Sequence, residues 1–153
     1  MEITGEQVLA APREVVWEML NNPEILRACI PGCEELNADS PEHMSAVVSL
    51  KIGPIKARFA GEVNLVELNP PASYAIVGEG KGGIAGFAKG RADVALEEHA
   101  EGTLLKYAVT VAIGGKIAQL GGRLITSTSK KLSAQFFESF AAKVPEFLAA
   151  RAA

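Results

Sequence analysis

The strictest pattern in this sequence is an alternation of residue types with a period of two. Between Ile55 and Val66 apolar or small residues occupy every second position, and a similar alternation runs from Met44 to Ile52. This period is typical of a half-buried β-strand rather than a helix. The glycine and proline between the two stretches predict a tight turn. Three more strands are predicted over residues 74–80, 88–96 and 105–113.

Helical patterns flank the strands. After a first strand over residues 3–9, Pro12 is expected at the first position of a short helix, and residues 24–30 predict a second one. Apolar residues then recur in three- and four-residue steps over residues 116–150, which predicts one long helix. Pro145 should kink or end that helix near its tail.

The order of these elements limits how they can pack. Short glycine-rich or polar turns between the strands favour an antiparallel sheet. Only the long helix is large enough to cover the apolar face of that sheet. The chain of 153 residues is therefore predicted to be one α+β domain over residues 1–153. Its curved antiparallel sheet of about seven strands should wrap around the C-terminal helix, with two short helices after the first strand.

Composition and charge exclude several classes of protein. The net charge is −3 and the pI about 5.5, whereas nonspecific nucleic-acid binding needs a basic face, so no nucleic-acid partner is expected. No charge-free apolar run reaches the roughly 18 residues of a membrane span. Glu2 and Glu6 stand where a secretory signal would be basic, and two cysteines imply no disulfide framework. A reduced, cytoplasmic domain is expected.

The residues predicted to face the helix from the middle of the sheet are small. A tightly packed sheet would carry large aliphatic or aromatic side chains there, since protein interiors leave few voids. Either these residues leave an apolar cavity, or the glycines are bulges and bends that curve the sheet. We prefer the cavity, which with a few polar groups suits a lipophilic ring or chain compound. The residues expected to contact such a ligand are Trp17, Phe59, Gly61, Tyr74, Ile76, Gly78, Gly90, Ala92, Tyr107, Val109, Leu124, Phe136 and Phe140.

A glycine-rich segment over residues 78–83 matches the pattern GxGxxG formally. Nucleotide binding by that motif requires a helix directly after the glycines, because the helix N-terminus holds the pyrophosphate. Here a strand is predicted to begin at about Phe87. The segment is therefore interpreted as a flexible hairpin beside the cavity, which could act as a lid.

Neither a metal site nor a catalytic centre is predicted. Cys29 and Cys33 lie four residues apart, but a zinc site needs four ligands, and His43 and His99 lack ligand spacing. The two cysteines are interpreted as parts of a turn that ends the second helix. Both histidines lie in polar segments typical of exposed turns, so no acid–base or nucleophilic constellation is expected.

Charge is distributed unevenly along the chain. Residues 116–153 carry six lysines or arginines and two glutamates, a net +4, so the remainder carries −7. Lys116, Arg123 and Lys130 are spaced by seven and are expected to share one helix face. That face would meet an anionic membrane or an acidic partner, or be an ordinary solvated surface.

Several motifs together resemble the CoxG family of carbon monoxide dehydrogenase accessory proteins, over nearly the whole chain. The specific ones are CIPGCE at residues 29–34 and GGKIAQLG at residues 114–121. Less specific matches are PREVVW at 12–17, NP at 22–23, KIGP at 51–54, FAG at 59–61 and GEGKG at 78–82. The resemblance implies the START-like, helix-grip fold of lipophilic-ligand binders, in agreement with the pattern-based prediction.

The resemblance also implies a function. Proteins of this family are associated with docking a molybdenum hydroxylase of the carbon monoxide dehydrogenase type to the membrane, and quinone handling has been proposed for them. We therefore expect a non-catalytic accessory protein with no covalently bound cofactor, a quinone or other lipophilic ligand, and a peripheral contact on the inner face of the membrane. Many relatives continue beyond the long helix into a tail that can be apolar, whereas this chain stops at Ala153.

Two other functions stay open at this point. One is a small enzyme of the same fold, of the cyclase or hydrolase type, acting on a hydrophobic substrate. That function needs a polar cluster inside the cavity, and the alternation of the strands places almost none there. The other is an interaction module whose core is closed and dry.

Overall fold

A computed structural model describes residues 1–152. The seven strands are β1 (Glu2–Leu9), β2 (Cys33–Ser40), β3 (His43–Ile52), β4 (Ile55–Asn69), β5 (Ser73–Lys81), β6 (Phe87–His99) and β7 (Gly102–Gly114). The helices are α1 (Arg13–Leu20), α2 (Pro23–Cys29) and α3 (Gly122–Ala152), with short 3-10 turns at Gly83–Ala85 and Lys116–Leu120.

One seven-stranded antiparallel sheet forms the frame of the molecule. Its strand order is β1-β7-β6-β5-β4-β3-β2, so β2 to β7 form a meander and β1 pairs with β7 at one edge. The register aligns Ile76 of β5 with Ala92 of β6 and Ala92 with Val109 of β7, which places these three on the same face. The predicted antiparallel sheet with a long C-terminal helix, the helix-grip architecture, is confirmed.

Two capping arrangements explain the short helices. Pro12 is the N-cap of α1 and not its first helical residue, one position earlier than expected. The Asn22 side chain caps α2 by accepting hydrogen bonds from the backbone N–H groups of Glu24 at 3.0 Å and Ile25 at 3.4 Å. Pro23 follows in the first turn, where its missing N–H costs nothing.

The long helix begins later and ends later than its sequence pattern predicts. Residues 116–120 form a 3-10 turn, and Gly121, with φ of +90°, separates that turn from α3. Glycine adopts this left-handed conformation without the steric cost of a side chain. The helix then runs past Pro145 to Ala152, so of the two expected effects of that proline, an end to the helix is wrong. Pro145 and Ala141, four residues earlier, are both exposed, so solvent can satisfy the carbonyl freed by the proline.

The densest packing lies where α1 and the C-terminal half of α3 meet the sheet. Phe140 and Met19 are fully buried there together with Leu105 of β7. Trp17 contacts Tyr74 edge-on with ring centroids 5.1 Å apart, and Phe136 stacks on Phe140 at 5.7 Å. We call this region the filled half of the groove between the sheet and α3.

Candidate functional site

The other half of that groove is hollow. A cavity of about 600 Å³ lies between the concave face of the sheet and the N-terminal half of α3, a size typical of small-molecule sites. Apolar side chains from six strands and from the turn after α2 line it, and α3 lies on the opposite side. The lining side chains are Ile3, Ile30, Pro31, Met44, Ala46, Val48, Leu50, Ile52, Phe59, Val63, Ile76, Ala88, Ala92, Tyr107, Val109, Val111, Ile113, Ile117, Ile125, Thr128, Ser129, Leu132 and Ser133, with the charged residues Glu62, Glu79, Lys89 and Arg91 at the margin.

The exposure of the sheet residues shows that protein atoms do not fill this space. Leu65, Leu96 and Leu105 on the concave face are at most 5% exposed, because the filled half covers them. Leu50 and Val109 point to the same face but stay only half-buried. The sheet therefore presents an uncovered apolar surface inside the cavity, which a lipophilic molecule of matching size would cover.

The helix supplies the polar groups of the cavity. Thr128, Ser129 and Ser133 lie on the side of α3 that faces the sheet, and each hydroxyl can donate and accept hydrogen bonds. The ring of Tyr107 stacks on Phe137 with centroids 5.7 Å apart and so forms the boundary between the hollow and filled halves. Its hydroxyl lies against Gly5 of β1, where no side chain stands in the way.

The structure brings most of the proposed ligand contacts together. Those that line the cavity are Phe59, Gly61, Ile76, Gly78, Gly90, Ala92, Tyr107 and Val109. The remaining five, Trp17, Tyr74, Leu124, Phe136 and Phe140, lie outside it.

Packing explains why those five residues are absent from the cavity. Four of them are aromatic side chains of the filled half, with Trp17 against Tyr74 and Phe136 against Phe140. Leu124 packs instead over Gly53 in the β3–β4 turn, with its Cδ2 2.7 Å from the position that a Cβ there would occupy. Burial raises the pKa of Tyr74, whose hydroxyl therefore stays protonated at neutral pH.

Sequence reasoning missed the hydroxyls of α3. Thr128, Ser129 and Ser133 belong to the helical stripe that continues through Phe136 and Phe140, so their position on the inner face could be read from the three- and four-residue steps. The residue types along this stripe could have predicted a polar wall, because the stripe changes from hydroxyl-bearing to aromatic side chains at the middle of the helix.

The inward glycines Gly61 and Gly78 lie at positions where the neighbouring strand leaves no room for a side chain. A Cβ at Gly78 would lie 2.6 Å from Val63 Cγ1 and 2.7 Å from the Glu62 carbonyl oxygen, and one at Gly61 would lie 2.9 Å from the Glu79 carbonyl oxygen. Neighbouring backbones thus approach too closely for a side chain. Both glycines line the cavity, and the strand register has no bulge at either of them.

The glycine-rich segment forms the hairpin between β5 and β6. A 3-10 turn at Gly83–Ala85 precedes β6, and no α-helix follows the glycines, so the geometry that holds a pyrophosphate is absent from this segment. Gly86, with φ of +123°, packs against the backbone of Gly114 and Gly115. Ile84 at the tip is 83% exposed.

The two cysteines belong to the turn after α2. Gly32 has φ of +74°, and its carbonyl oxygen accepts a hydrogen bond of 2.9 Å from the Ser49 N–H of β3. Burial raises the pKa of both the Cys29 and Cys33 thiols, so both are protonated at neutral pH and are weak nucleophiles. These features support the interpretation of CIPGC as a structural turn.

The histidines lie at the opposite end of the sheet from the β5–β6 hairpin. His43 Nδ1 is 2.8 Å from Asp39 Oδ2 beside the β2–β3 turn, and His99 accepts a hydrogen bond of 3.0 Å from the backbone N–H of Glu101 in the β6–β7 turn. Neither residue lines the cavity.

The three basic residues proposed for a membrane or partner contact do not share one helix. Lys116 lies in the 3-10 turn before Gly121, whereas Arg123 and Lys130 lie on α3. The expected single face is therefore wrong, because the positive φ of Gly121 breaks the helical path. All three are exposed. Within residues 1–152, no helix has the length and apolar character needed to span a bilayer.

Comparisons with known proteins agree with this geometry. The family model of CoxG, described as a subunit of carbon monoxide dehydrogenase, matches residues 5–145. A search of curated proteins finds no match. Among solved structures, a conserved protein from Geobacillus kaustophilus has a TM-score of 0.89 and 27% identity, with 95% of this chain and 96% of that chain covered.

More distant structures show the same fold. A protein from Rhizobium leguminosarum has a TM-score of 0.71 and 18% identity, with 95% of each chain covered. A protein from Mycobacterium smegmatis has a TM-score of 0.69 and 16% identity, with 95% of this chain and 91% of that chain covered. At these identities the likeness concerns the fold alone.

Proposed function

This chain belongs to the CoxG family of carbon monoxide dehydrogenase accessory proteins, and from that membership we propose that it is a non-catalytic accessory protein that binds a lipophilic ligand. The ligand in this proposal is a quinone, and the protein helps a molybdenum hydroxylase of the carbon monoxide dehydrogenase type to couple with the inner face of the membrane. The cavity carries the proposal, because about 600 Å³ of space walled mainly by apolar side chains is typical of a site for a small lipophilic molecule.

The chemistry of the cavity supports a quinone over a plain hydrocarbon. A quinone has a flat ring with two carbonyl oxygens and an apolar tail. The hydroxyls of Thr128, Ser129 and Ser133 can donate hydrogen bonds to a carbonyl from the helix side. Phe59, Val109 and the other apolar side chains of the sheet offer a surface for the ring and the tail.

The alternative of a small enzyme receives no comparable support. Acid–base catalysis needs a titratable group within about 2.6–3.2 Å of the reacting atom. Both histidines and both cysteines lie outside the cavity lining. The charged residues at its margin, such as Glu62 and Arg91, are exposed and occupy alternate strand positions that point away from α3.

A fluorescence titration tests ligand binding. A short-chain quinone in mild detergent should quench the emission of Trp17 with saturation at one equivalent, and native mass spectrometry should show the same stoichiometry. Tyr107→Phe alters a residue at the cavity boundary and should weaken binding. Tyr74→Phe, which changes a tyrosine of the filled half, is the matched control and should not.

A second measurement tests the accessory role. The purified protein alone should show no turnover, whereas adding it to a molybdenum hydroxylase should raise the rate of quinone reduction. The proposal fails if neither quinone nor any extracted lipid binds. It also fails if a substrate screen finds an activity that His43→Ala, His99→Ala or Cys29→Ser abolishes.

A further inference from the structure

Three chain segments meet at one end of the sheet. They are the β3–β4 turn at residues 53–54, the β5–β6 tip at residues 82–86, and residues 114–123, which lead from β7 into α3. Gly86 packs on Gly114, which joins the second segment to the third. Leu124 packs over Gly53, which joins the start of α3 to the first. We call this surface the hairpin end.

The hairpin end presents large apolar side chains to solvent. Ile84 at its tip is 83% exposed and Phe87, the first residue of β6, is 47% exposed. The other large apolar side chains exposed in residues 1–152 reach 40% at most. Ile84 stands between Gly83 and Ala85, and the buried Ala85 and Gly86 fix the turn that carries it. An apolar group therefore protrudes from a well-supported turn.

Basic residues share the hairpin end with this apolar tip. The cations on or beside the three segments are Lys51, Lys56, Lys81, Lys116 and Arg123, and all five are exposed. Within residues 1–152, none of them lies within 4.0 Å of a carboxylate oxygen. Arg58, two residues from Lys56 on β4, is paired with Glu34 at 3.0 Å. The other cations with such a partner lie away from this end: Arg13, Arg91, Lys106, Lys143 and Arg151. Within the same residues, Arg27, Lys89, Lys130 and Lys131 also lack one.

Acidic residues concentrate at the opposite end. Asp39, Glu42, Glu98 and Glu101 lie in or beside the β2–β3 and β6–β7 turns, whereas the hairpin end has fewer carboxylates nearby: Glu2, Glu79 and Glu34, the last of which is paired with Arg58. The molecule is thus polarised along its strands even though its net charge is −3. Cations without carboxylate partners can pair with phosphate groups at no cost in existing ion pairs.

We propose that the hairpin end docks on the surface of an anionic lipid bilayer, with Ile84 entering the headgroup boundary and the cations of this end pairing with lipid phosphates. A single protruding apolar side chain that shares one end of the molecule with cations fits that boundary, where apolar burial and charge attraction act together. A protein partner would instead require a broad complementary surface. The cavity lining reaches this end through Ile52, Ile113 and Ile117.

The proposal rests on the proposed function, because it assigns the membrane contact in that function to one surface. If the cavity holds a membrane-soluble quinone, docking at this end brings the cavity against the lipid from which that quinone comes. The docking itself requires no ligand. Vesicle binding and quinone binding can therefore succeed or fail separately.

Vesicle sedimentation tests the docking. The wild-type protein should bind vesicles of phosphatidylcholine with phosphatidylglycerol and bind pure phosphatidylcholine much more weakly. Ile84→Asp should lower affinity for the anionic vesicles at least tenfold. The matched control is Leu68→Asp, which changes an apolar side chain that is 40% exposed near the acidic end, and it should bind as the wild type does.

Two sets of charge variants distinguish a membrane contact at the hairpin end from one elsewhere on the surface. The triple variant Lys51→Gln, Lys56→Gln, Lys81→Gln should lower affinity about fivefold for each charge removed. The control triple Lys106→Gln, Lys130→Gln, Lys131→Gln removes as many exposed cations from outside the hairpin end and should have a smaller effect. Both triples should keep the wild-type melting temperature, because all six side chains are exposed.

Three outcomes overturn the docking proposal: equal binding to neutral and anionic vesicles, wild-type binding by Ile84→Asp, or a larger loss in the control triple. The absence of vesicle binding together with binding of the hairpin end to a purified hydroxylase overturns it as well. Ile84→Asp should still bind quinone in detergent. A loss of that quinone binding would instead count against the separation of tip and cavity on which the proposal depends.

Discussion

The two halves of the groove between the sheet and α3 differ in what the same helix presents to the same sheet. In the filled half α3 presents Phe136, Phe140 and Val144, and the sheet side chains opposite are buried. In the hollow half it presents Thr128 and Leu132, and the sheet opposite is rich in glycine and alanine. The two halves therefore differ in side-chain volume on both surfaces.

The two halves of the groove contribute differently to the stability of the fold. A closely packed half can hold the fold together without help, because each buried aromatic side chain contributes strongly to stability. The hollow half forgoes that packing and leaves apolar walls partly exposed. A ligand that binds only the folded state would restore the missing contacts and stabilise the protein by mass action. In the proposed function, folding and ligand binding thus depend mainly on different halves of one groove.

The largest expected effect comes from truncating an aromatic side chain in the filled half. Phe140 is fully buried, so Phe140→Ala should lower the free energy of unfolding by about 3–5 kcal/mol. Leu132→Ala removes a half-buried side chain beside space that already exists, and should cost less than about 2 kcal/mol. Urea unfolding of both variants checks this. Equal losses would show that the two halves are not packed differently.

The next effect concerns two small inward residues that the sequence pattern makes equivalent. Gly78→Leu should destabilise the protein by about 1–3 kcal/mol, because its Cβ would meet Val63 and the Glu62 carbonyl. Ala92, in contrast, already has a Cβ, so the larger side chain of Ala92→Leu would extend into the cavity. It should keep near wild-type stability and lower quinone affinity at least tenfold.

The control for this pair is Ala112→Leu, which adds the same bulk at an exposed position of β7 that points away from the cavity. It should change neither stability nor binding. If Ala92→Leu lowers the melting temperature sharply, the space beside it is not open. If it leaves binding intact, the ligand does not occupy the hollow half.

These pairs also show how far the sequence alone could lead. Period two assigns each strand residue to a face, and helical steps identify the stripe of α3 that meets the sheet, so the architecture and the cavity were predictable. Neither pattern says how far along the sheet each turn of the helix lies. Trp17, Tyr74 and Phe140 were therefore expected in the cavity although they fill the other half. The glycine pair Gly121 and Gly122 could have predicted the break before α3, but the apolar periodicity continues across it and suggested one helix.

A third prediction tests the dryness of the filled half through pH. Burial raises the pKa of Tyr74 above the ordinary value of about 10. Above that pH the unfolded chain loses the phenolic proton while the folded protein retains it, so stability should fall as pH rises. The slope from this residue can reach about 1.4 kcal/mol per pH unit. Urea midpoints measured from about pH 9 to 11 should fall less steeply in Tyr74→Phe than in the wild type. Equal slopes would place Tyr74 in contact with water.

The smallest expected effect concerns the hydroxyls of the hollow half. Ser129 and Ser133 lie on the cavity wall, and each can donate a hydrogen bond to a ligand carbonyl. A hydrogen bond of this kind contributes about 0.5–1.5 kcal/mol, so Ser129→Ala and Ser133→Ala should each weaken quinone binding roughly two- to tenfold. Ser127→Ala is the control, because that hydroxyl is exposed and bonds the Leu124 carbonyl at 3.0 Å.

Measuring the serine variants with both a quinone and a hydrocarbon shows whether the cavity recognises the carbonyl of the ligand or only its volume. A hydrocarbon of similar size has no carbonyl, so its affinity should be unchanged or raised when a serine on the wall becomes alanine. If quinone and hydrocarbon respond alike, the hydroxyls do not take part in recognition and the cavity selects by volume alone. If only the quinone responds, the helix binds the polar head while the sheet holds the apolar body. The contrast between the two halves would then extend to the two walls of the hollow one.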